Sequence, residues 1–151
     1  MKKTLLALCL SAAALPVVAQ AIDADLPAAA DPLVWEPVAA EGLTLAQFKW
    51  VARPIVVFAD SPFDPAFVRQ MELLEARANE LAERDVVVIY DTDPDARSDI
   101  RTDLRPRGFS LVLISKDGQI AQRKPFPWDV REIGRAIDKM PIRKQELREA
   151  R

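Results

Sequence analysis

"RPIVVFADSPFDPAFVRQMELLEA", Arg53 to Ala76, runs an apolar strand into an amphipathic helix through the turn Asp60-Ser61-Pro62-Phe63-Asp64. Proline disfavours helical backbone in the residue before it, so Arg53-Pro54 ends what precedes and starts the strand, predicted at Ile55 to Ala59. Asp64-Pro65 is a strong helix start: an acid able to accept from orphan N–H groups, then a ring whose fixed φ suits the first helical position. Phe67, Met71, Leu74, Ala78 and Leu81 recur at helical spacing, with Arg69, Glu72, Glu75 and Glu80 facing water, which predicts one long helix.

Downstream, "VVVIY" (Val86 to Tyr90) is an unbroken, mostly β-branched run that suits a central strand covered on both faces. "DTDPDARSDIRTDLRPRG" reads as a loop carrying a short helix, Asp95 to Leu104, with Asp95 as its cap. "FSLVLIS" is a second buried strand, and Asp117-Gly118 makes a tight turn into the polar edge strand "QIAQRK". Asp129 with Glu132 forms a capping box before a helix whose inner face is Val130, Ile133 and Ile137. Upstream, Thr44 and Gln47 form a weaker box over a short helix with Leu45 and Phe48 on one face. Residues 22–42, rich in Ala, Pro and Asp, read as a linker with a short strand at Leu33 to Glu36. The end, "PIRKQELREAR", reads as a solvated, charged tail. The expected division is 1–21 leader, 22–42 linker, 43–140 domain and 141–151 tail.

The start, "MKKTLLALCLSAAALPVVAQA", has a charged beginning, a short apolar stretch from Leu5 to Leu15 and an Ala19-Gln20-Ala21 cleavage site. That is the pattern of a secretory signal peptide. Pro16 interrupts the run, which is too short to span a bilayer comfortably. Leu8 before Cys9 argues against a lipid-acylation site. The expectation is a periplasmic or secreted protein beginning near Ile22, with no membrane span.

Removing Lys2 and Lys3 takes the charge from 21 basic and 23 acidic residues to 19 and 23, net −4, since residues 1–21 hold no acid. A mildly acidic chain offers no general attraction for nucleic acid. Cleavage also removes Cys9, the single cysteine, and the chain has no histidine. Thiolate chemistry, dithiol exchange, a Ser-His-Asp triad, Cys/His zinc and His- or Cys-ligated haem are therefore excluded for the expected mature chain. No cofactor is expected. Carboxylates, Arg, Lys, hydroxyls, Tyr90 and the backbone remain.

The order strand, helix, strand, short helix, strand hairpin, helix resembles the thioredoxin fold over roughly Leu43 to Lys139. Arg107-Gly108 and Lys116-Asp117-Gly118 stand where thioredoxins carry Arg-Gly and a Lys-Asn-Gly hairpin. The fold class that follows is α/β, thioredoxin-like: a βαβ unit, then a hairpin and a C-terminal helix, in a mixed sheet with helices on both faces. "FKWVARPIVVFADS", "LAERDVVVI", "GFSLVLISKDG" and "AIDKMPIRKQELRE" are more closely similar to a bacterial exported family known only as a domain of unknown function. That family is thought to be thioredoxin-like and to lack the redox pair, and it has relatives in vertebrate sushi-repeat-containing matrix proteins. The resemblance implies a fold and a compartment, and no activity.

In the thioredoxin register the two cysteine positions fall on Ser61 and Asp64, and the cis-proline position on Ser110. Nothing activates Ser61, so thiol chemistry has no substitute here. What is left is the sheet edge, because ligands of open α/β sheets bind outside the carboxyl ends of the strands. Three loops meet there, and the expected recognition edge is Ser61, Phe63, Asp64, Asp93, Arg105 and Ser110, with Phe63 exposed. The expected partner is another periplasmic or envelope protein. The rival reading is a cofactor-free enzyme using Asp60 and Asp64 with Arg105 or Arg107 clamping an anion.

Three further patterns stand in the sequence. Asp91, Asp93 and Asp95 have calcium-loop spacing, but Ala96 replaces the turn glycine and Thr102 the closing glutamate, so an Asp-Pro turn is the expectation. Phe48, Trp50, Phe63 and Trp128 read as packing residues before they read as a groove. Arg143, Lys144, Arg148 and Arg151 are interleaved with Glu146 and Glu149, which favours a solvated helix over an anion-binding tail.

Overall fold

The structure, a computed structural model, describes residues 35–151. The predicted leader, most of the linker, and Leu33 and Val34 of the predicted short strand lie outside the described residues.

Strands β1 (Val38–Ala39), β2 (Arg53–Phe58), β3 (Val86–Asp91), β4 (Ser110–Ile114) and β5 (Ile120–Lys124) form one mixed sheet in the order β1-β3-β2-β4-β5. β1 and β2 run parallel to β3, β4 runs antiparallel to β2, and β5 antiparallel to β4. Pro54 lies in the part of β2 that pairs with β3 alone, so its missing N–H breaks no ladder to β4. The helices are α1 (Pro65–Glu75), α2 (Ala78–Ala82), α3 (Asp99–Leu104), α4 (Val130–Asp138) and α5 (Pro141–Glu149).

Alternation along β2 splits the core in two. Ile55, Val57 and Ala59 face one layer with Phe67, Leu74, Leu81, Ile133 and Ile137. Val56 and Phe58 face the other with Ile100 and Leu104 of α3. Every residue of β2 is buried, which is why it reads as a continuous apolar run.

Several boundaries differ from the sequence reading. The first short strand is Val38–Ala39, inside the stretch read as linker, where it covers one edge of the sheet. The long helix breaks after Glu75: Arg77 leaves helical backbone at φ −137°, and α2 restarts against β3 and α4. The helix expected from Asp95 begins at Asp99 instead. The Asp93 carboxylate accepts from the N–H groups of Asp95 and Ala96 at 3.0 and 3.3 Å, closing a tight turn first. Ser98 is the true cap, accepting from Arg101 N at 3.0 Å. Asp129 caps α4, but Glu132 reaches Arg135 at 2.6 Å rather than closing the box.

The largest surprise is Arg53, fully buried at the start of β2. Its guanidinium donates to Arg84 O and Glu146 Oε2, both at 2.9 Å, and lies 3.6 Å from Asp85. Lys116 reaches Asp85 at 2.8 Å and Glu146 at 3.0 Å. Residues 141–151 are mostly exposed, as expected of a charged helical end, but α5 also places Glu146 between Arg53 and Lys116. Burial works to raise the Glu146 pKa, but hydrogen bonds from Arg53 and Lys116 outweigh it and hold it below its ordinary value.

Glu146→Ala leaves a buried guanidinium short of its acceptor, and a lost charged hydrogen bond of this kind costs about 1.5–3 kcal/mol. Urea denaturation is expected to show a loss in that range. A change under about 0.5 kcal/mol, typical of a surface site, would mean that α5 merely rests on the domain.

Candidate functional site

The carboxyl ends of β2, β3 and β5 and the amino end of β4 share one pole of the sheet. The turn after β2, the loop after β3, the loop before β4 and the segment after β5 all emerge there.

One interaction closes this pole. Arg101 of α3 donates through Nε and a terminal nitrogen to Asp91 Oδ1 at 3.1 and 2.8 Å. The same terminal nitrogen donates to Ala59 O at 2.9 Å and Asp91 O at 3.0 Å, joining the ends of β2 and β3. The guanidinium also sits 5.3 Å from the Phe58 ring centre. Asp91 further accepts from Ser98 Oγ at 2.6 Å and Asp93 N at 3.2 Å. Its burial works to raise its pKa, yet the hydrogen bonds from Arg101 and Ser98 and the Arg101 charge prevail and hold it below its ordinary value.

This pair accounts for the D-x-D-x-D pattern. Asp91 is held by Arg101 and Ser98, and Asp93 binds two backbone N–H groups. Among the described residues, no group of three or more Asp or Glu side chains is placed to share a cation.

The residues expected at the edge are all at this pole, in three kinds of setting. Asp64 accepts from Ala66 N at 2.8 Å and Phe67 N at 3.4 Å, so its carboxylate belongs to the α1 cap. Asp64 N donates to Ser61 O at 3.2 Å and Phe63 N to Ser61 Oγ at 3.2 Å, so the turn is tied internally. Phe63 projects from that turn, 86 % exposed. Asp60 is 64 % exposed and 3.9 Å from Arg101. Asp60 and Asp64 thus have separate roles and do not form a buried acid/base pair.

Arg105 and Ser110 belong to a groove of about 410 Å³ lined by Leu104, Arg105, Arg107, Phe109, Ser110, Arg123 and Pro125. Ser110 is buried at its base, and the three arginines are exposed. The groove adjoins the Phe63 turn: a Cβ on Gly108 would lie 3.9 Å from Asp60 Oδ2. Arg123 was missed by the sequence reading, because only the β4–β5 register, which pairs it with Val112, brings it here.

Phe48, Trp50, Phe63 and Trp128 lie in separate settings. Phe48 packs on the second core layer, Trp50 lies 63 % exposed just before β2 at the opposite pole, and Trp128 sits under Lys124 at 4.8 Å. Arg143 pairs with Glu146 and donates to Glu83 O, so it is part of the α5 anchor.

Topology and layers define a thioredoxin-like α/β protein. A Plasmodium vivax 2-Cys peroxiredoxin, reduced, superposes with a TM-score of 0.55 at 17 % identity, over 69 % of this chain and 85 % of that one. Chloroplastic thioredoxin z gives 0.54 at 22 % identity, over 71 % and 96 %. These likenesses are of fold. Residues 44–146 match the family described as Domain of unknown function (DUF4174), and the chain belongs to that family. No helix among the described residues is long and apolar enough to cross a membrane.

Asp91 makes stability depend on pH in a defined direction. Its folded-state pKa is depressed, so its contribution is complete above the unfolded-state value and is lost as pH falls through the folded-state value. Acid denaturation of the Asp91→Asn variant is expected to start from lower stability at neutral pH and to fall less steeply through the carboxylate range. An acid limb identical to the parent's would remove Asp91 from the account.

Proposed function

We propose that this chain is an exported, non-redox binding module that docks a protein partner on the pole where Phe63 projects. The observation that carries the reading is the exposure of Phe63, at 86 %, on a turn fixed by its own hydrogen bonds. Rigid, exposed aromatics are the usual anchors of protein interfaces. Phe126, 56 % exposed just after β5, adds apolar surface at the same pole. The non-redox half rests on composition: residues 22–151 contain no cysteine and no histidine. Export rests on the sequence pattern of residues 1–21. A reaction at this pole finds no support, because Asp91 is neutralised by Arg101 and Asp64 is held by its helix.

Photo-crosslinking in cells tests the reading, with the reactive group placed at Phe63 or, as control, at Gln145 on α5. Position 63 is expected to give a discrete protein adduct that the control lacks. Phe63→Ser is expected to leave stability within about 0.5 kcal/mol while weakening the isolated complex about tenfold or more. Identical adducts from both positions, or an unaffected complex, would overturn the docking face. The exported protein is also expected to leave insulin disulfides intact; turnover by verified cysteine-free protein would end the non-redox reading.

A further inference from the structure

The groove beside Phe63 has an unusual charge for this chain. The protein is acidic overall, yet Arg105, Arg107 and Arg123 converge on one groove, and none of them pairs with a carboxylate among the described residues. Most other arginines near the sheet ends are held: Arg53, Arg84, Arg101 and Arg143 all have acid partners. Three exposed guanidinium groups around a floor that includes Leu104, Phe109 and Pro125 present positive charge next to apolar surface.

Arg105 adds a second observation. It ends α3 with φ 46°, the left-handed conformation that glycine usually supplies at this point of a helix, and its N–H closes the helix on Arg101 O at 2.9 Å. Arg105 thus places a guanidinium at a position whose backbone would also suit glycine.

Resting on the docking reading above, we infer that the groove recognises an acidic, extended segment of the protein partner, with apolar residues flanking its acids. Guanidinium forks match carboxylates in planar geometry and persistent charge. Flanking apolar residues follow from continuity: Pro125 of the groove precedes exposed Phe126, and Gly108 abuts the turn that carries Phe63. An occupant that reaches both flanks is longer than a single small anion.

The test uses a dye-labelled peptide, Leu-Glu-Asp-Glu-Phe, its amide counterpart Leu-Gln-Asn-Gln-Phe, and inorganic phosphate, each titrated into the full mature chain. The acidic peptide is expected to bind about tenfold or more tightly than the amide form, with affinity falling as salt rises. Arg107→Glu with Arg123→Glu is expected to abolish that difference. Arg105→Gly separates binding from folding: its melting temperature is expected to hold or rise while peptide affinity falls several-fold. Equal binding of the two peptides, indifference to the arginine changes, or phosphate binding as tightly as peptide would each overturn the acidic-segment inference. If the arginine variants keep the Phe63 adduct and its affinity, this inference fails and the docking face stands; if the adduct itself is absent, the docking face fails first.

Discussion

The guanidinium of Arg101 holds one pole of the sheet together. It neutralises Asp91 and donates to the carbonyl of Ala59, so the ends of the two central parallel strands are fixed relative to α3. Both partners are largely buried, with side chains 12 % and 4 % exposed. Removing one member of such a pair leaves an uncompensated charge, a loss of about 3–5 kcal/mol in comparable buried pairs. Among the described residues, the buried carboxylate at this pole is thus already matched, which supports the proposal that Phe63 and the arginines of the groove serve recognition.

A second ion cluster organises the opposite pole. Arg53 is buried at the first position of β2, and Asp85, Lys116 and Glu146 bring the start of β3, the β4–β5 turn and α5 to it. Between the two clusters lie the apolar layers on either side of the sheet. The arrangement separates duties: one pole anchors the C-terminal helix, and the other presents groups to solvent.

Local patterns made much of the fold legible. The β-branched runs gave the strands, Asp64-Pro65 and Asp129 gave two helix starts, and Asp117-Gly118 gave the hairpin. Side-chain partners that meet only through tertiary structure were not legible. The sequence groups Asp91 with its neighbours Asp93 and Asp95, whereas its true partner is Arg101 on the following helix. In the sequence Arg53 is only the residue before a proline, and Glu146, its partner 93 positions on, one acid of a solvated helix. Gln70 on α1 is buried for the same kind of reason, exchanging hydrogen bonds with the Trp128 backbone at 3.1 and 2.7 Å. Of the candidate groups at this pole, Phe63 and Arg105 are legible from their positions in a turn and a loop, while Arg123 needs the hairpin register.

The Asp91–Arg101 pair closes the pole structurally and, on the proposed reading, leaves the exposed groups around it for binding. A double-mutant cycle of Asp91→Asn and Arg101→Met, read by urea denaturation at neutral pH, measures that directly. The prediction is a coupling of about 2 kcal/mol or more, within the range for residues of one ion-pair network. Additive losses, with coupling under about 0.5 kcal/mol, would contradict it and reopen the pole as a place where Asp91 is available for chemistry.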